Sequence, residues 1–416
     1  MNNEFLRTAL FAAAALLAVA LAAYVEPQSP RSEIFSDAGE AFFPNFRDIM
    51  AVKAIEVVDY DEADAVARPL KVEFRRNRWV LASHSDYPAE ARERLAKTAA
   101  ALLDLKKEQP VSDRWEDHAT YSVIDPLDTK NPSLQGRGKR VTLRDAGGVT
   151  LAEIILGKPV PAKDGYRYVR LPGQKRTYSI KIDADPSARF EDWVESNLLR
   201  ASPADIAKIT LISYQIDEQF GRLANLQRVV MEKDKPSWND QARSIAATLA
   251  SLRVVGARPK PQQLAEQLKT RQLTLSLDTV MSLRQRGFFI TPAGQLLSNE
   301  GELIVETAQG LVYNLRFGEI VSDSTSISAA TVAKPRENRY LFVTASSRKP
   351  ESEQAARNLD AKFADWYYII SGTDFARLNP IRQQRAKAQP TPPPFTLPPP
   401  AAASGAPIQA PPPPPR

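Results

Sequence analysis

Between Lys53 and Arg385 the chain runs through one series of segments twice, in the same order, and this repetition limits what it can fold into. A helix-like run at Arg92–Leu105 has a counterpart at Ala242–Val255, where Leu95, Thr98 and Leu102 recur as Ile245, Thr248 and Leu252. Each run follows a strand-like segment and a tryptophan, Trp79 in the first case and Trp238 in the second. Further on, "YSVIDP" (Tyr121–Pro126) is echoed by "FFITP" (Phe288–Pro292), and "VTLRDAGGVTLAEIILG" (Val141–Gly157) by "LIVETAQGLVYNLRFG" (Leu303–Gly318). The longer pair reads as two hairpins, each an alternating strand, a glycine turn, a second alternating strand and a terminal glycine. "YRYVRLPG" (Tyr166–Gly173) then parallels "RYLFVTA" (Arg339–Ala345), and "FEDW" (Phe190–Trp193) parallels "FADW" (Phe363–Trp366). The spacing between copies grows along the chain because the second carries an insertion, Pro259–Gly287.

Each copy reads as strand–strand–helix–strand–hairpin–strand–helix. Short, alternating, closely spaced strands favour antiparallel pairing over crossover units. The expected fold class is therefore α+β, with two tandem related modules of mostly antiparallel sheet and packed helices, over 51–200 and 206–385. Ser202-Pro203, within "LRASPADIA" (Leu199–Ala207), marks the joint.

The two ends differ from the middle. Thr8–Val25 is uncharged between Arg7 and Glu26, close to the roughly 20 residues a helix needs to cross a bilayer. Tyr24 sits where an interfacial aromatic belongs. Residues 7–25 are thus expected to be a transmembrane anchor, after a cytoplasmic N-terminus at 1–6 and before a juxtamembrane linker at 26–50. A signal peptide competes, since Ala20-Leu21-Ala22 satisfies the small-x-small cleavage rule. Either reading sends the body out of the cytoplasm, and the anchored one places it at the inner membrane as a single-pass protein. At the other end, about half the residues from Pro390 onward are proline. Residues 386–416 are expected to be a disordered or polyproline-like tail, a spacer or a docking peptide for a proline-binding groove.

Composition narrows the function classes. The net charge is +6, but basic and acidic residues are interspersed, so no basic stripe points to nucleic acid. The absence of cysteine removes disulfides, thiol catalysis and thiolate metal sites. The two histidines, His84 and His118, lie in turn-like contexts and are expected at the surface, too few for a histidine metal site. Three fragments superficially match catalytic or metal motifs. "GRGK" (Gly136–Lys139) lacks the spacer of a phosphate loop. "SSRK" (Ser346–Lys349) is followed at once by Pro350, which denies it the helix that a Ser-x-x-Lys pair needs. "DYDEAD" (Asp59–Asp64) lacks the central glycine of a calcium loop. No catalytic residue, metal or cofactor is expected.

"FADWYYIISG" (Phe363–Gly372) raises the one question about a site. On a helix begun at Ser352, Ala356, Leu359, Phe363, Trp366, Tyr367 and Ile370 share one face, and Ser371-Gly372 stops the helix. Phe190, Asp192 and Trp193, with Phe363, Asp365 and Trp366, then form the signature of a helix that closes each module. Tyr368 falls off that face and is the candidate for a partner surface.

The segments "NRWVLASHSDYPAEARERLAKTAAALLDL", "YSVIDP", "LAEIILGKPV", "DGYRYVRLPGQKRTYSI" and "FEDWVESNLLRASPADIAKI" resemble the family known as domain of unknown function 4340, over roughly Lys53–Ile209 and more loosely in the second copy. The resemblance implies one N-terminal membrane helix and an envelope protein. It also implies kinship with auxiliary subunits of a gliding-motility type of ABC transport system, hence an ABC-type membrane complex as partner. It carries over no catalytic residue. The expected function is that of a non-catalytic, membrane-anchored binding or scaffold component of an envelope complex. The alternative is an extracytoplasmic protein holding a small molecule or glycan in a cleft between the modules.

Overall fold

The computed structural model describes residues 37–195, 197–217, 222–270, 276–291, 294–321 and 337–381, together with Ala13 and Ala15. Apart from Ala13 and Ala15, the anchor expected at 7–25 lies outside the described residues, as does the proline-rich tail at 386–416. Among the described residues no helix is long and apolar enough to cross a membrane. The fold is α+β, and every ladder between named strands is antiparallel.

The first half opens with the hairpin β1 (Ala54–Asp61) and β2 (Val66–Arg75), followed by the short strands β3 (Arg78–Leu81) and β4 (Tyr87–Pro88). Helix α1 (Arg92–Leu103) carries the chain across the sheet to β5 (Gln109–Ser112) on the opposite edge. Its buried residues Leu95, Thr98, Ala99 and Leu102 recur at helical spacing, which is why this run is a helix. A single turn, α2 (His118–Tyr121), precedes the hairpin β6 (Lys139–Arg144) and β7 (Thr150–Pro159), then β8 (Tyr166–Arg170) and β9 (Thr177–Lys181). The nine strands lie in the order β4-β3-β2-β1-β6-β7-β8-β9-β5.

The second half begins with β10 (Ile206–Asp217) and β11 (Arg222–Glu232). Helix α3 (Asp240–Ala250) leads to β12 (Val254–Pro259). The expected insertion folds as α4 (Gln262–Thr270) and α5 (Leu277–Arg284), with a small hairpin of β13 (Phe288–Ile290) and β14 (Leu296–Ser298) after it. The hairpin β15 (Glu302–Thr307) and β16 (Leu311–Ile320) follows, then β17 (Arg339–Ser347), α6 (Glu353–Ala364), β18 (Trp366–Ile370) and α7 (Gly372–Leu378). The seven-stranded order is β11-β10-β15-β16-β17-β18-β12. With β3 and β4 set aside, the two sheets have the same strand order, although α6 joins β17 to β18 where a short turn joins β8 to β9.

The likeness extends to single residues. Leu156 to Pro159 in β7 and Phe317 to Ile320 in β16 mark the same register shift against the next strand. Gly157 and Gly318 sit inside it, each beneath a crossing segment that leaves no room for a Cβ. At Gly157 the added atom would meet the Tyr121 carbonyl and Val123; at Gly318 it would meet the Arg286 carbonyl and the Phe288 ring. Arg167 Nε donates to the Gly157 carbonyl (3.1 Å) and Arg339 Nη1 to the Gly318 carbonyl (3.4 Å).

One continuous apolar core runs from Phe42 through both sheets to Leu378. A second cluster of Leu264, Leu283, Phe288, Phe342 and Tyr367 fills the space under the insertion, on the other face of the second sheet. Residues 37–50, expected as linker, belong to the first core. Phe42, Phe43 and Phe46 are buried, and Asp37 accepts from the Tyr178 hydroxyl (2.5 Å) and pairs with Lys107 (3.2 Å) and Arg176 (3.3 Å).

The run "WYYII" is a strand, not the end of a helix. Helix α6 stops at Ala364, and β18 pairs with both β12 and β17. Both faces of this sheet are covered here, so Tyr368 and Ile370 point into the main core and Tyr367 into the second cluster. Contiguous aromatics are what a strand buried on two sides requires.

Candidate functional site

The most built-up region is the junction between the sheets. Tyr87, in β4, is wedged between Phe190 (ring centroids 5.2 Å apart) and Trp366 at the start of β18 (4.8 Å). Phe190 and Asp192 belong to a 3-10 turn rather than to the closing helix expected there. Trp193 follows that turn, fully buried; its indole N–H donates to the Ser187 carbonyl (2.8 Å) and its own carbonyl accepts from Glu90 N–H (2.7 Å). From the second half, the Tyr313 hydroxyl donates to the Leu199 carbonyl (2.7 Å) and Lys362 pairs with Glu195, which also binds Arg200 (2.6 Å). Burial alone would raise the Glu195 carboxyl, but hydrogen bonds from Arg200 and Lys362 outweigh it and hold it below the usual range.

Along this seam lies an open cleft of about 670 Å³, with Glu195, Asn197, Arg200, Ser202 and Asp205 on its wall. Ser202 and Asp205 form a reciprocal cap, with the Ser202 N–H (3.0 Å) and hydroxyl (2.6 Å) both donating to Asp205. The acids of the cleft are therefore already engaged, Glu195 by two cations and Asp205 by a serine. This arrangement braces a joint.

Residues 79–281 match the family described as a domain of unknown function (DUF4340). That stretch, just under half of the chain, is a DUF4340 domain. No curated protein and no solved structure matches the chain. The DUF4340 stretch starts in β3 and ends in α5, so it crosses the joint, as does the resemblance, which runs over roughly Lys53–Ile209 and more loosely into the second copy. Tyr87, Phe190, Trp193, Glu195 and Arg200 lie inside it; Tyr313, Lys362 and Trp366 lie beyond it.

The two "F-x-D-W" motifs are not equivalent in the fold. In the first half the motif follows β9; in the second it precedes β18, although β9 and β18 hold the same place in their sheets. Both motifs nevertheless reach the junction, through Phe190 and Trp366 on either side of Tyr87. Asp192 accepts from Ser187 (2.6 Å) and pairs with Arg189 (2.9 Å), while Asp365 pairs with Lys269 (2.5 Å). Phe363 is buried in the main core. Tyr368, expected at a partner surface, is fully buried in β18 beside Phe363, because a strand period of two turns it inward where a helical period pointed it out.

His118 is buried rather than at the surface. Its Nε2 bonds the Lys175 carbonyl (2.8 Å), and burial holds the imidazole below its ordinary pKa. His84 is part-exposed against Phe190. The motif look-alikes are engaged elsewhere. Lys349 Nζ donates to the Ala308 carbonyl (2.8 Å), Asp61 turns back onto the N–H groups of Ala63 and Asp64 and pairs with Arg68, and Gly136 occupies a left-handed turn.

Lys260 has no signal in the sequence. It lies just past β12, wholly buried, donating Nζ to the carbonyls of Phe363 (2.8 Å) and Trp366 (2.7 Å) with the Phe342 ring 4.0 Å away. Burial pushes its amine down to about 7. Only its surroundings could have revealed it, and they are assembled from the end of α6, β17 and β18 in three dimensions.

Proposed function

We propose that this DUF4340 protein is a membrane-tethered, non-catalytic binding or scaffold component of an envelope complex. Its body lies outside the cytoplasm at the inner membrane, and an ABC-type membrane complex is its partner. The matched sheets are two copies of one module, joined near Ser202-Pro203. The observation that carries the reading is how soon after the apolar run the body is tied down. Asp37 is already tied down by Tyr178, Lys107 and Arg176, and the apolar run ends at Val25, so only residues 26–36 separate the two. At roughly 3.3–3.6 Å per residue when fully extended, that stretch of chain reaches at most about 40 Å, whatever its conformation. It holds the first sheet close to the bilayer, within reach of a membrane-embedded partner. A joint braced by Tyr87, Trp193 and the Glu195 ion pairs suits a rigid scaffold. Crosslinking in intact membranes, followed by identification of the captured proteins, tests this. ABC-type membrane subunits are expected, and recovery of no envelope protein would overturn the proposal.

A second reading, a ligand held between the modules, draws on one observation. The Asn197 side-chain oxygen on the cleft wall is buried without a hydrogen-bond partner. A sugar or peptide that raises the melting temperature of the full chain, but not of its Asn197→Ala variant, would favour it.

A further inference from the structure

We propose that the proline-rich end of this chain, Pro390–Arg416, docks on an aromatic row of the same molecule, formed on the first sheet by Trp115, Tyr121 and Tyr168. The Trp115 ring rests against His118 (ring centroids 5.1 Å apart) and near the Arg170 guanidinium (5.9 Å), and the Tyr121 ring rests against Tyr168 (4.6 Å). His118 and Tyr121 are three residues apart on α2, and Tyr168 and Arg170 are two apart on β8. Both spacings put side chains on one face, so the two aromatic contacts stand side by side. Trp115 is 54% exposed, and Tyr121 and Tyr168 are part-exposed. Among the described residues, no hydrogen-bond partner meets the Trp115 indole N–H or the hydroxyls of Tyr121 and Tyr168. Rings with an apolar body and an unused polar tip are what a docking surface offers.

The second half shows how the matching place is covered. Val169 pairs with Leu156 and Leu341 with Phe317, each partner just before the glycine of the register shift, so Tyr168 corresponds to Tyr340 and Arg170 to Phe342. Tyr121 corresponds to Arg286, since each holds its carbonyl over that glycine. There the insertion forms a roof. Phe342 packs with Leu264 of α4 and Leu283 of α5, and Tyr340 lies against them with the Arg286 guanidinium 5.6 Å from its ring. The first half has no such insertion, and between β5 and β6 its one named element is the single turn α2. Its row is covered instead by chain from elsewhere, and 382–416 supplies it. From Pro390 onward about half the residues are proline, and a polyproline helix leaves its backbone carbonyls without internal partners. Aromatic rings pack on the prolines while their N–H and O–H groups donate to those carbonyls. At roughly 3.1 Å per residue, 382–416 extends about 100 Å, against a radius of gyration of roughly 20 Å for a compact chain of this length, so the row is within reach.

The absence of native cysteine lets the contact be read by crosslinking in the full chain, with a short bismaleimide in detergent at low protein concentration. Thr120 is exposed on α2 beside the row, and Ser404 lies between two proline runs. Thr120→Cys with Ser404→Cys is expected to close an intramolecular link at least tenfold faster than Ala100→Cys with Ser404→Cys. Ala100 is equally open to solvent, but on α1, which packs on the opposite face of the sheet. Adding Trp115→Ala and Tyr168→Ala to the first pair is expected to erase the advantage. Trp115→Ala alone, at an exposed ring, is expected to cut it at least threefold without lowering the melting temperature, which separates lost docking from lost fold. Equal rates for the two pairs, or an advantage untouched by Trp115→Ala, would overturn the proposal. So would links that form only between two chains, which would make a second copy the occupant.

Discussion

Replacing Lys260 with methionine should remove a pH dependence from the stability of this fold. The amine is buried among Phe342, Tyr367 and the end of α6, and burial lowers it from 10.5 to about 7. In the unfolded chain it returns to roughly 10.4. Below about pH 7 both states carry the proton and the folded state bears the full cost of burying a cation. Between about pH 7 and 10.5 the unfolded state holds a proton that the folded state has released, so stability rises with pH across that window. Over two pH units the change approaches 1.4 kcal/mol per unit, or about 2 kcal/mol from pH 7 to pH 9 once partial titration near 7 is included. Methionine keeps much of the stem volume and cannot titrate. It also leaves the Phe363 and Trp366 carbonyls without their donor, a loss that does not vary with pH. The measurement is urea unfolding of the parent chain and Lys260→Met at pH 7, 8 and 9, taken as a difference so that other titrating groups cancel. The parent should gain about 2 kcal/mol relative to the variant. A difference that stays flat would refute the reasoning. It would mean that the two carbonyls and the aromatic faces keep the ammonium charged, so that desolvation does not dominate.

Trp193→Ala removes a fully buried indole and its hydrogen bond, and should cost about 3–5 kcal/mol in chemical unfolding. Trp366, only partly buried against Tyr87, should cost clearly less, and equal losses would contradict the placement at the junction. Gly157→Ala and Gly318→Ala should each lower stability by about 1–3 kcal/mol through the same clash with a crossing carbonyl, whereas Gly147→Ala, which meets only the Asp145 side chain, should be nearly silent. Tyr368→Ala should destabilise by about 3–5 kcal/mol as a buried residue, while unchanged melting would put it back at a surface.

Sequence alone determined the features that depend on local period and order. The helical spacing of Leu95, Thr98 and Leu102 and of Ile245, Thr248 and Leu252 appears as α1 and α3, and the two glycine-turned hairpins appear as β6–β7 and β15–β16. Gly157 and Gly318 were legible as a matched pair, but the strands run past them to Pro159 and Ile320, and the crossing segments that press on them were not legible. Whatever depends on which surface covers which was decided by the tertiary structure. "WYYII" admits a helical or a strand period, and only the insertion lying over the far face of the second sheet makes the strand the better burial. The same cover turns Tyr368 inward and removes Lys260 from water. The phenylalanines at 42, 43 and 46 fell within the expected linker, yet irregular backbone buries well when a neighbouring sheet supplies the wall. The likeness of "FEDW" and "FADW" came from composition, and the sheets assign them different places because strand order is set by long-range pairing that no local motif encodes.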